Sequence, residues 1–180
     1  MPETYTLRLC GLERKLPIIQ VSPTLSIASF VILGDTELIC RVAPELVKRL
    51  PEIDVIVTAE AKGIPLAFEI SRLLSMNYII ARKNIKPYMQ QPLVVSVNSI
   101  TTPKEQILCL DNKDVLTIKG KRVAIIDDVI STGQSINAVE QLIHQAGGTV
   151  IARAAILAEG DAADRSDIIY LEKLPLFVKN

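Results

Sequence analysis

Short aliphatic runs alternate with amphipathic segments through the middle of the chain. Ile53–Thr58 is a short, mostly aliphatic and β-branched run, typical of a parallel strand that is buried on both faces. After Gly63, apolar residues recur at helical spacing, and Pro65 suits the first turn of a helix because its missing N–H costs nothing there. Tyr78–Ala81 then indicates a second strand. This order predicts a strand–helix–strand unit.

The same alternation extends along the rest of the core. Val123–Ile126 is a third aliphatic run, and a helical pattern beyond Gly133 leads to a fourth predicted strand at Val150–Ala158. Upstream, Asp35–Leu50 has the spacing of a helix, which Pro44 should kink or restart. Strands that alternate with helices of this length predict a parallel α/β sheet with right-handed crossovers.

Two stretches depart from the alternation. Residues 11–35 mix Pro, Ser and apolar residues without a clear period. Residues 84–118 separate two core strands and are too long for a plain connection in a compact domain. Within them, Leu93–Ile100 alternates weakly, and a turn separates it from the short apolar run Ile107–Leu110. We interpret this second stretch as a mobile β-ribbon.

The composition and the net charge restrict the kinds of partner that the protein is expected to bind. The chain has 180 residues, of which 49% are hydrophobic and 22% charged, which supports one domain with a sizeable core and excludes an intrinsically disordered chain. Twenty Lys and Arg balance twenty Asp and Glu, so no overall basic field favours nucleic acid or an anionic membrane surface. We expect neither partner. Any anionic ligand must then be held by a local cluster of cations or amides.

The cysteine pattern favours a cytoplasmic protein. Cys10, Cys40 and Cys109 are odd in number, far apart and form no CxxC pair, which argues against a disulfide framework or a zinc site and fits a reducing compartment. Met1–Cys10 has no basic stretch followed by an apolar core, so we expect no signal peptide. The longest largely apolar run, Leu25–Leu33, is far below the roughly 20 residues needed to span a bilayer.

The strongest chemical signal lies at residues 123–135, which read VAIIDDVISTGQS. A buried strand delivers Asp127 and Asp128 to its C-terminal end, where ligands of open α/β sheets bind. The following turn opens a helix, whose free N–H groups and small hydroxyls suit a phosphate, and Gly133 lets the backbone approach closely. A carboxylate pair beside a phosphate cradle suits a ribose 5-phosphate.

This segment resembles the phosphoribosyl-pyrophosphate (PRPP) signature of the type I phosphoribosyltransferases, and the resemblance runs from about residue 12 to the C-terminus. It implies an α/β fold in which helices flank a parallel twisted sheet. The single domain would comprise a small N-terminal hood (about 11–35), a core (about 36–160) and a flexible β-ribbon loop (about 84–118). Asp127 and Asp128 would hold the ribose 2- and 3-hydroxyls. The 5-phosphate would be wrapped by Ser131, Thr132, Gly133, Gln134 and Ser135.

The resemblance also implies a pyrophosphate site built from two loops. The turn Thr58–Gly63 corresponds to the pyrophosphate loop of the family, with an expected non-proline cis peptide at Ala61–Lys62. The cationic segment at 81–86 resembles the RKxxK segment of purine members, in which Lys83 is the residue expected to reach a neighbouring subunit. Together these loops would supply the pyrophosphate contacts Ala61, Lys62, Gly63, Arg82, Lys83 and Lys86, with Lys62 and Arg82 acting catalytically beside the two aspartates.

The segments implied for base recognition match the family less closely. Thr101 stands where adenine enzymes usually carry a loop Glu, and Glu105 is displaced from that position. Xanthine-specific members tend to have a Lys where Gly160 stands. The candidate base-binding residues are Ile27 and Phe30 in the hood and Glu159 after the last predicted core strand. His144 falls on the polar face of its helix, so we expect it to be solvated rather than catalytic.

The predicted function is transfer of the phosphoribosyl group of PRPP to a purine, with adenine as first choice and xanthine second. The products would be a nucleoside monophosphate and pyrophosphate. Mg²⁺ is expected to bind mainly through PRPP oxygens, with Asp127 as the one candidate protein ligand. The resemblance implies a homodimer. Two alternatives remain: a non-catalytic PRPP-sensing regulator, with which the missing loop Glu is compatible, and an orotate phosphoribosyltransferase-like enzyme.

Overall fold

The computed structural model describes residues 3–97 and 106–178. A 3-10 helix at Gly160–Asp164 follows the ninth strand. No helix in the described part of the chain is long and apolar enough to cross a membrane. The remaining elements, in chain order, are β1 (Thr4–Leu9), β2 (Leu12–Ser22), β3 (Leu25–Ala28), α1 (Thr36–Val47), β4 (Val55–Ala59), α2 (Ile64–Leu74), β5 (Tyr78–Ala81), β6 (Leu93–Val97), β7 (Gln106–Leu110), α3 (Asn112–Ile118), β8 (Arg122–Ile130), α4 (Gln134–Gln145), β9 (Thr149–Glu159), β10 (Ile169–Leu174) and β11 (Leu176–Val178).

A five-stranded parallel sheet forms the centre of the molecule, in the order β10-β9-β8-β4-β5. The predicted parallel α/β architecture is therefore confirmed, and β5 begins and ends at the predicted residues. The sequence placed Asp127 and Asp128 at the C-terminal end of the third core strand, which is slightly too early. Strand β8 continues to Ile130, since Asp127 and Val129 still pair with residues of β9. The twin aspartates therefore lie within the strand itself, near its C-terminal end.

Alternation along β8 explains why every position from Val123 to Ile126 is apolar. Ala124 and Ile126 face one hydrophobic cluster, which contains α1 and α2. Val123 and Ile125 face the other cluster, which contains α4. Successive side chains of a strand point to opposite faces, so a strand covered by helices on both sides needs apolar residues at every position.

The hood is a four-stranded antiparallel sheet in the order β1-β2-β3-β11. Its first two strands meet through Cys10 and Gly11, whose φ angles are +51° and +79°, as a two-residue turn of type I′ requires. Residues 11–35 showed no clear period because β2 has a register irregularity near Ser22. The fourth strand, β11, comes from the far end of the chain, so no local pattern could reveal it.

Helix α1 links the hood to the core. Asp35 caps the helix by accepting the Leu38 N–H at 3.1 Å, and the same carboxylate pairs with Arg14 of β2 at 2.7 Å. The helix runs through Pro44 without restarting, so a restart at that residue is a wrong prediction. A proline removes one hydrogen bond from a helix, and the buried residues on both sides of Pro44 hold the helix against the core.

The long stretch between the core strands contains the predicted β-ribbon. Strands β6 and β7 pair antiparallel, and a bridge between Arg82 and Cys109 ties β7 to the end of β5. Helix α3 follows the ribbon and was not predicted. Thr101, expected at the position of the loop Glu of adenine enzymes, and the displaced Glu105 both lie outside the described residues.

Candidate active site

Strand β8 carries the two aspartates to the carboxyl edge of the sheet. The Asp128 side chain is buried, with 3% of the residue exposed. The Asp128 N–H donates to Asp127 Oδ1 at 2.8 Å, which fixes the two carboxylates relative to each other. Lys62 Nζ, from the turn after β4, lies 3.1 Å from Asp128 Oδ2. Two loops that are far apart in sequence therefore meet at one ion pair.

A cavity of about 320 Å³ opens beside this ion pair. Its walls include Lys62 and Lys83, both aspartates and the start of β7. A second cavity of about 100 Å³ shares Asp127, Val129 and Ser135 with the first and extends over the turn after β8. The residues predicted to hold a 5-phosphate all line this second cavity: Ser131, Thr132, Gly133, Gln134 and Ser135. The structure thus brings the twin acids and the turn into one cleft.

The turn after β8 has the backbone of an anion site. Gly133 has a φ of +80° and stands at the N-cap of α4, where it has no side chain to cap the first N–H groups. Those N–H groups have no partner within the helix, and they carry the positive end of its dipole. A side chain at Gly133 would be strained by the φ angle and would place its Cβ 2.7 Å from Arg165 Nη1. Only glycine fits this position without a shift.

The turn after β4 lies directly against β8. A Cβ atom on Gly63 would lie 2.3 Å from Thr58 Oγ1 and 3.2 Å from the carbonyl oxygen of Ile126. The absence of a side chain therefore allows the turn to approach the strand and brings Lys62 to Asp128. The turn contains a non-proline cis peptide at Glu60–Ala61, so the expected position at Ala61–Lys62 is wrong by one residue.

Glu60 organises the cationic segment after β5, a role that was not predicted from the sequence. Its Oε2 accepts the Lys83 N–H at 3.0 Å, and its Oε1 lies 3.7 Å from Arg82 Nη1. The Lys83 N–H, followed by the charges of Arg82, Lys86 and Lys83, lowers the pKa of Glu60 despite partial burial. The sequence offered one indication of this role, because Glu60 lies two residues before Lys62 in the same turn.

The predicted cations do not all face the same cavity. Lys62 and Lys83 line the cleft beside the aspartates, together with Ala61. Arg82 lines a separate cavity of about 290 Å³ beside Tyr88. Its ion pair with Glu60, which lines the cleft, connects Arg82 to that cleft.

The two hood residues predicted to contact a base have different environments. Phe30 is 6% exposed and belongs to the hydrophobic core. It also lines a cavity next to Arg14 and Asp35, which contains neither aspartate of the cleft. Ile27 is half-buried in β3. The structure therefore does not bring Phe30 to the twin aspartates.

An apolar row on the hood reaches the end of β9. Ile19, Ile27 and Leu176 are direct neighbours across β2, β3 and β11. Leu176 lies against Gly160, where a Cβ would be only 2.5 Å from its Cδ1. The preceding residue, Glu159, is close enough to Ser131 and Lys62 for both to affect its carboxylate. Ile19 and Leu176 were not predicted, because their proximity depends on strand pairing.

The Phosphoribosyl transferase domain family model matches residues 39–175 of the chain. The chain belongs to this family. The fold and the enzyme class expected from the sequence, a pentosyl transferase, are thereby confirmed. The matched range includes both loops that meet at the Lys62–Asp128 ion pair.

The relatives of this phosphoribosyltransferase are named for several different purine bases. A hypoxanthine/guanine phosphoribosyltransferase of Methanococcus voltae is 34% identical over 140 residues, which are 77% of this chain and 71% of that protein. A xanthine phosphoribosyltransferase of Chloroflexus aurantiacus is 30% identical over 68% of this chain and 58% of its own length. An adenine phosphoribosyltransferase structure from Thermoanaerobacter pseudethanolicus superposes with a TM-score of 0.68 at 26% identity, covering 79% of this chain and 84% of that one.

The carboxylates of the phosphoribosyltransferase cleft fit a hard cation that keeps most of its water. Among residues 3–97 and 106–178, no group of three or more His, Cys, Asp and Glu is arranged to hold a metal. Asp128 Oδ2 is buried without a hydrogen bond in the described residues, although Lys62 balances its charge. Oxygen atoms are the ligands that Mg²⁺ prefers, and it commonly uses one or two carboxylates plus substrate phosphates.

The environment of the phosphoribosyltransferase cleft opposes ionisation of its acids. Burial raises the pKa of Asp127, and the negative charge of Asp128 raises it further, while Lys62 acts in the opposite direction. Burial also raises the pKa of Glu159, which the Ser131 hydroxyl and Lys62 partly offset. The three carboxylates that line the cleft, on Glu60, Asp127 and Asp128, therefore outnumber its two ammonium groups, on Lys62 and Lys83.

Replacing Asp127 by a neutral residue should raise the free energy of unfolding, and the size of this gain should depend on pH. The folded protein binds the Asp127 proton more tightly than the unfolded chain, so the wild type loses stability as pH rises above the unfolded pKa of about 4. Asp127→Asn removes that loss and keeps an oxygen to accept the Asp128 N–H. We expect urea unfolding to show the variant more stable than wild type by roughly 1–2 kcal/mol at pH 8, with little difference at pH 4.

The exposed Asp161→Asn is the matched control, and it should show no such pH-dependent difference. A stability change for Asp127→Asn that is equal at both pH values, or a loss at pH 8, would contradict the assigned charge imbalance.

Proposed function

We propose that the protein transfers the 5-phosphoribosyl group of PRPP to a purine base, giving a nucleoside monophosphate and pyrophosphate. The observation that carries this proposal is the single cleft that joins the twin aspartates, Lys62 and the amide-rich turn after β8. A substrate with hydroxyls between two phosphorylated ends matches that order of groups. Purine names among the relatives support the class of acceptor.

The turn after β8 would hold the 5-phosphate. Its hydroxyls at Ser131, Thr132 and Ser135 and the first N–H groups of α4 donate to phosphoryl oxygens. A phosphate bound there gains from the helix dipole, and Gly133 allows it to approach the backbone. This contact fixes one end of the substrate, so it contributes to orientation rather than to bond breaking.

The aspartates would hold the ribose in the middle of the cleft. Asp127 and Asp128 accept hydrogen bonds from the 2- and 3-hydroxyls, which replace solvent as donors for buried carboxylate oxygens. Their negative charge also lies near the ribosyl carbon that becomes positive as pyrophosphate leaves. Such preorganised charge stabilises the transition state more than the ground state. Asp127 and Asp128 therefore act as catalytic residues in this proposal.

Cationic side chains would stabilise the negative charge of the departing pyrophosphate. The Lys62 ammonium is half-exposed and paired with Asp128, so it can turn to a phosphoryl oxygen when the ribose hydroxyls reach that carboxylate. Lys83 lines the same cleft, and Glu60 holds Arg82 and the Lys83 backbone in place. Mg²⁺ bound through PRPP oxygens, with Asp127 as its candidate protein ligand, would neutralise further charge on the leaving group.

The base would lie between the hood and the end of β9. The apolar row of Ile19, Ile27 and Leu176 offers one flat contact, and Glu159 offers a carboxylate at the adjoining edge. A carboxylate accepts two parallel hydrogen bonds from the N1–H and 2-amino group of guanine, whereas adenine presents an acceptor at N1. We therefore rank guanine and hypoxanthine above adenine, in agreement with the Methanococcus voltae relative.

A PRPP-sensing regulator is the second candidate, for one specific reason. The chain is 31% identical over 113 residues to the purine biosynthesis transcriptional repressor PurR of Bacillus subtilis, although it covers only 39% of that protein. A sensor would bind PRPP in the same cleft without catalysing transfer. An assay of product formation separates the two functions.

The test is a base panel with PRPP and Mg²⁺, using adenine, guanine, hypoxanthine, xanthine and orotate. We expect nucleotide and pyrophosphate to form in equal amounts, with guanine or hypoxanthine giving the highest kcat/KM. Asp127→Asn/Asp128→Asn should lower kcat/KM by about 100-fold or more, as loss of a preorganised electrostatic contact does. His144→Gln, on the exposed face of α4, is the control and should leave kcat/KM unchanged.

Tight PRPP binding with no product from any base would favour the sensor. Orotate as the best acceptor, or undiminished turnover in the double variant, would refute the proposed purine mechanism.

We further propose that the protein is a homodimer that associates along the open edge of β5. Large apolar side chains are exposed there, with Phe68 52%, Ile85 51% and Tyr88 61% accessible. Phe68 packs edge-to-face on Tyr78 of β5 at 6.3 Å, and Tyr78 lines the same cavity as Tyr88. Apolar patches of this kind mark interaction sites. Lys83, which the sequence led us to expect at a neighbouring subunit, lines the cleft of its own chain.

Phe68→Asp should convert the dimer to a monomer in sedimentation velocity, because a buried charge without a partner is costly at an interface. Leu116→Asp, at an exposed position on α3, is the matched control and should remain dimeric. A monomeric wild type, or a Phe68→Asp variant that stays dimeric, would contradict this interface.

The cysteines support a reducing location for the reaction. Cys10, Cys40 and Cys109 are all free thiols. Free thiols persist in the cytoplasm, where cellular reductants keep them reduced. We therefore place the proposed reaction in the cytoplasm.

A further inference from the structure

A further cavity in the described part of the molecule is separate from the active-site cleft. It has a volume of about 590 Å³, within the range of small-molecule sites. It lies where the end of β1, the middle of α1 and β10 meet, and it shares no lining residue with the cleft beside Asp127. Its polar lining consists of Arg8, Cys10, Cys40, Arg41, Glu45, Arg49 and Glu172.

The three guanidinium groups of this cavity differ in their partners. Arg49 Nη1 donates to the Tyr170 carbonyl oxygen at 2.6 Å, which orients the group and leaves its other donors available. Arg8 is paired with Glu13 at 3.2 Å on the exposed rim. Arg41 forms no hydrogen bond or ion pair with any residue in 3–97 and 106–178. At least one guanidinium of the cavity lining therefore has no ion-pair partner among the described residues.

The two carboxylates of the lining already have donors of their own. Glu45 pairs with Lys48 at 2.7 Å, and Glu172 accepts the Lys173 N–H at 2.9 Å. Neither is hydrogen-bonded to an arginine of the cavity. The guanidinium groups therefore outnumber the acids that could neutralise them, so the cavity favours an anion.

Pro44 adds an acceptor to the same wall. Because proline has no N–H, the Cys40 carbonyl lacks the donor that a helix would supply four residues later. Both residues line the cavity. A ligand that carries an anionic group and also a hydrogen-bond donor would match the guanidinium groups and this carbonyl together.

We propose that this cavity is a second binding site, for a small phosphorylated metabolite of the nucleotide class. Arginine favours phosphate because its planar fork donates two parallel hydrogen bonds to phosphoryl oxygens. A nucleoside phosphate supplies both the phosphoryl oxygens and the N–H donors of a base. The site does not depend on the reaction in the cleft, since none of its lining residues takes part in that reaction.

The exposed Cys40 thiol provides a local readout in the full-length protein. Cys109 is buried, and burial raises the pKa of Cys10, so Cys40 should react first with a thiol reagent. The experiment measures the Cys40 modification rate by mass spectrometry with inorganic pyrophosphate, AMP or GMP present. At about ten times its Kd, a ligand in the cavity should slow modification by about tenfold.

Three variants locate the binding. Protection should disappear in Arg41→Glu, which changes an exposed side chain that forms no hydrogen bond or ion pair with the described residues. It should persist in Lys121→Gln, which removes one exposed cation that does not line the cavity, and in Lys62→Ala, which weakens the active-site cleft. Protection by AMP or GMP alone identifies a nucleotide, and equal protection by pyrophosphate identifies the phosphoryl groups as sufficient.

Two results would overturn the proposal. One is the absence of protection by every probe at millimolar concentration. The other is protection that survives in Arg41→Glu or disappears in Lys62→Ala, because the ligand would then act from the active-site cleft.

Discussion

The contact between Lys62 and Asp128 is the constraint on which the rest of the site depends. It joins the turn after β4 to the end of β8 across 3.1 Å. That distance is available only because Gly63 has no side chain to collide with Thr58 and β8. At this contact one ammonium faces two adjacent carboxylates, so negative charge is not fully balanced and the empty site lowers the stability of the folded protein. The site therefore suits a ligand whose hydroxyl groups donate to the carboxylates and whose anionic group binds Lys62.

The fold places three kinds of group around that contact. Parallel strands bring their carboxyl ends to one edge, so the turns after β4 and β8 are neighbours although they are distant in sequence. The hood closes over the same edge because its last strand, β11, returns from the C-terminus and packs Leu176 on Gly160. The proposed phosphate, ribose and base positions thus lie at a helix terminus, on a strand and on a separate sheet, respectively.

The sequence predicted those parts of the site whose cause is local. The aspartates, the turn after β8 and the start of α4 follow each other within one strand–turn–helix unit, and the structure brings them together as expected. The parallel sheet followed from apolar runs that need cover on both faces. Even there, the end of β8 was placed too early, because two charged residues were assumed to end the strand.

The features that the sequence missed depend on pairing between distant segments. Phe30 belongs to the core and not to the cleft because the hood packs on α1, and β11 joins β3 from the far end of the chain. Glu60 gained its role from a backbone N–H of Lys83 that lies on another loop. A restart of α1 at Pro44 was wrong since tertiary packing on both sides of the proline outweighs one missing hydrogen bond.

Isothermal titration calorimetry of PRPP in the presence of Mg²⁺ tests the charge arrangement of the cleft most directly. A cleft that offers twin acids to the ribose and amides to the 5-phosphate should give a saturable heat with a stoichiometry of one per chain. Ribose 5-phosphate should bind to the same cleft more weakly, because it lacks the pyrophosphate group that would contact Lys62. No heat from PRPP at millimolar concentration, or equal affinity for both compounds, would contradict that arrangement.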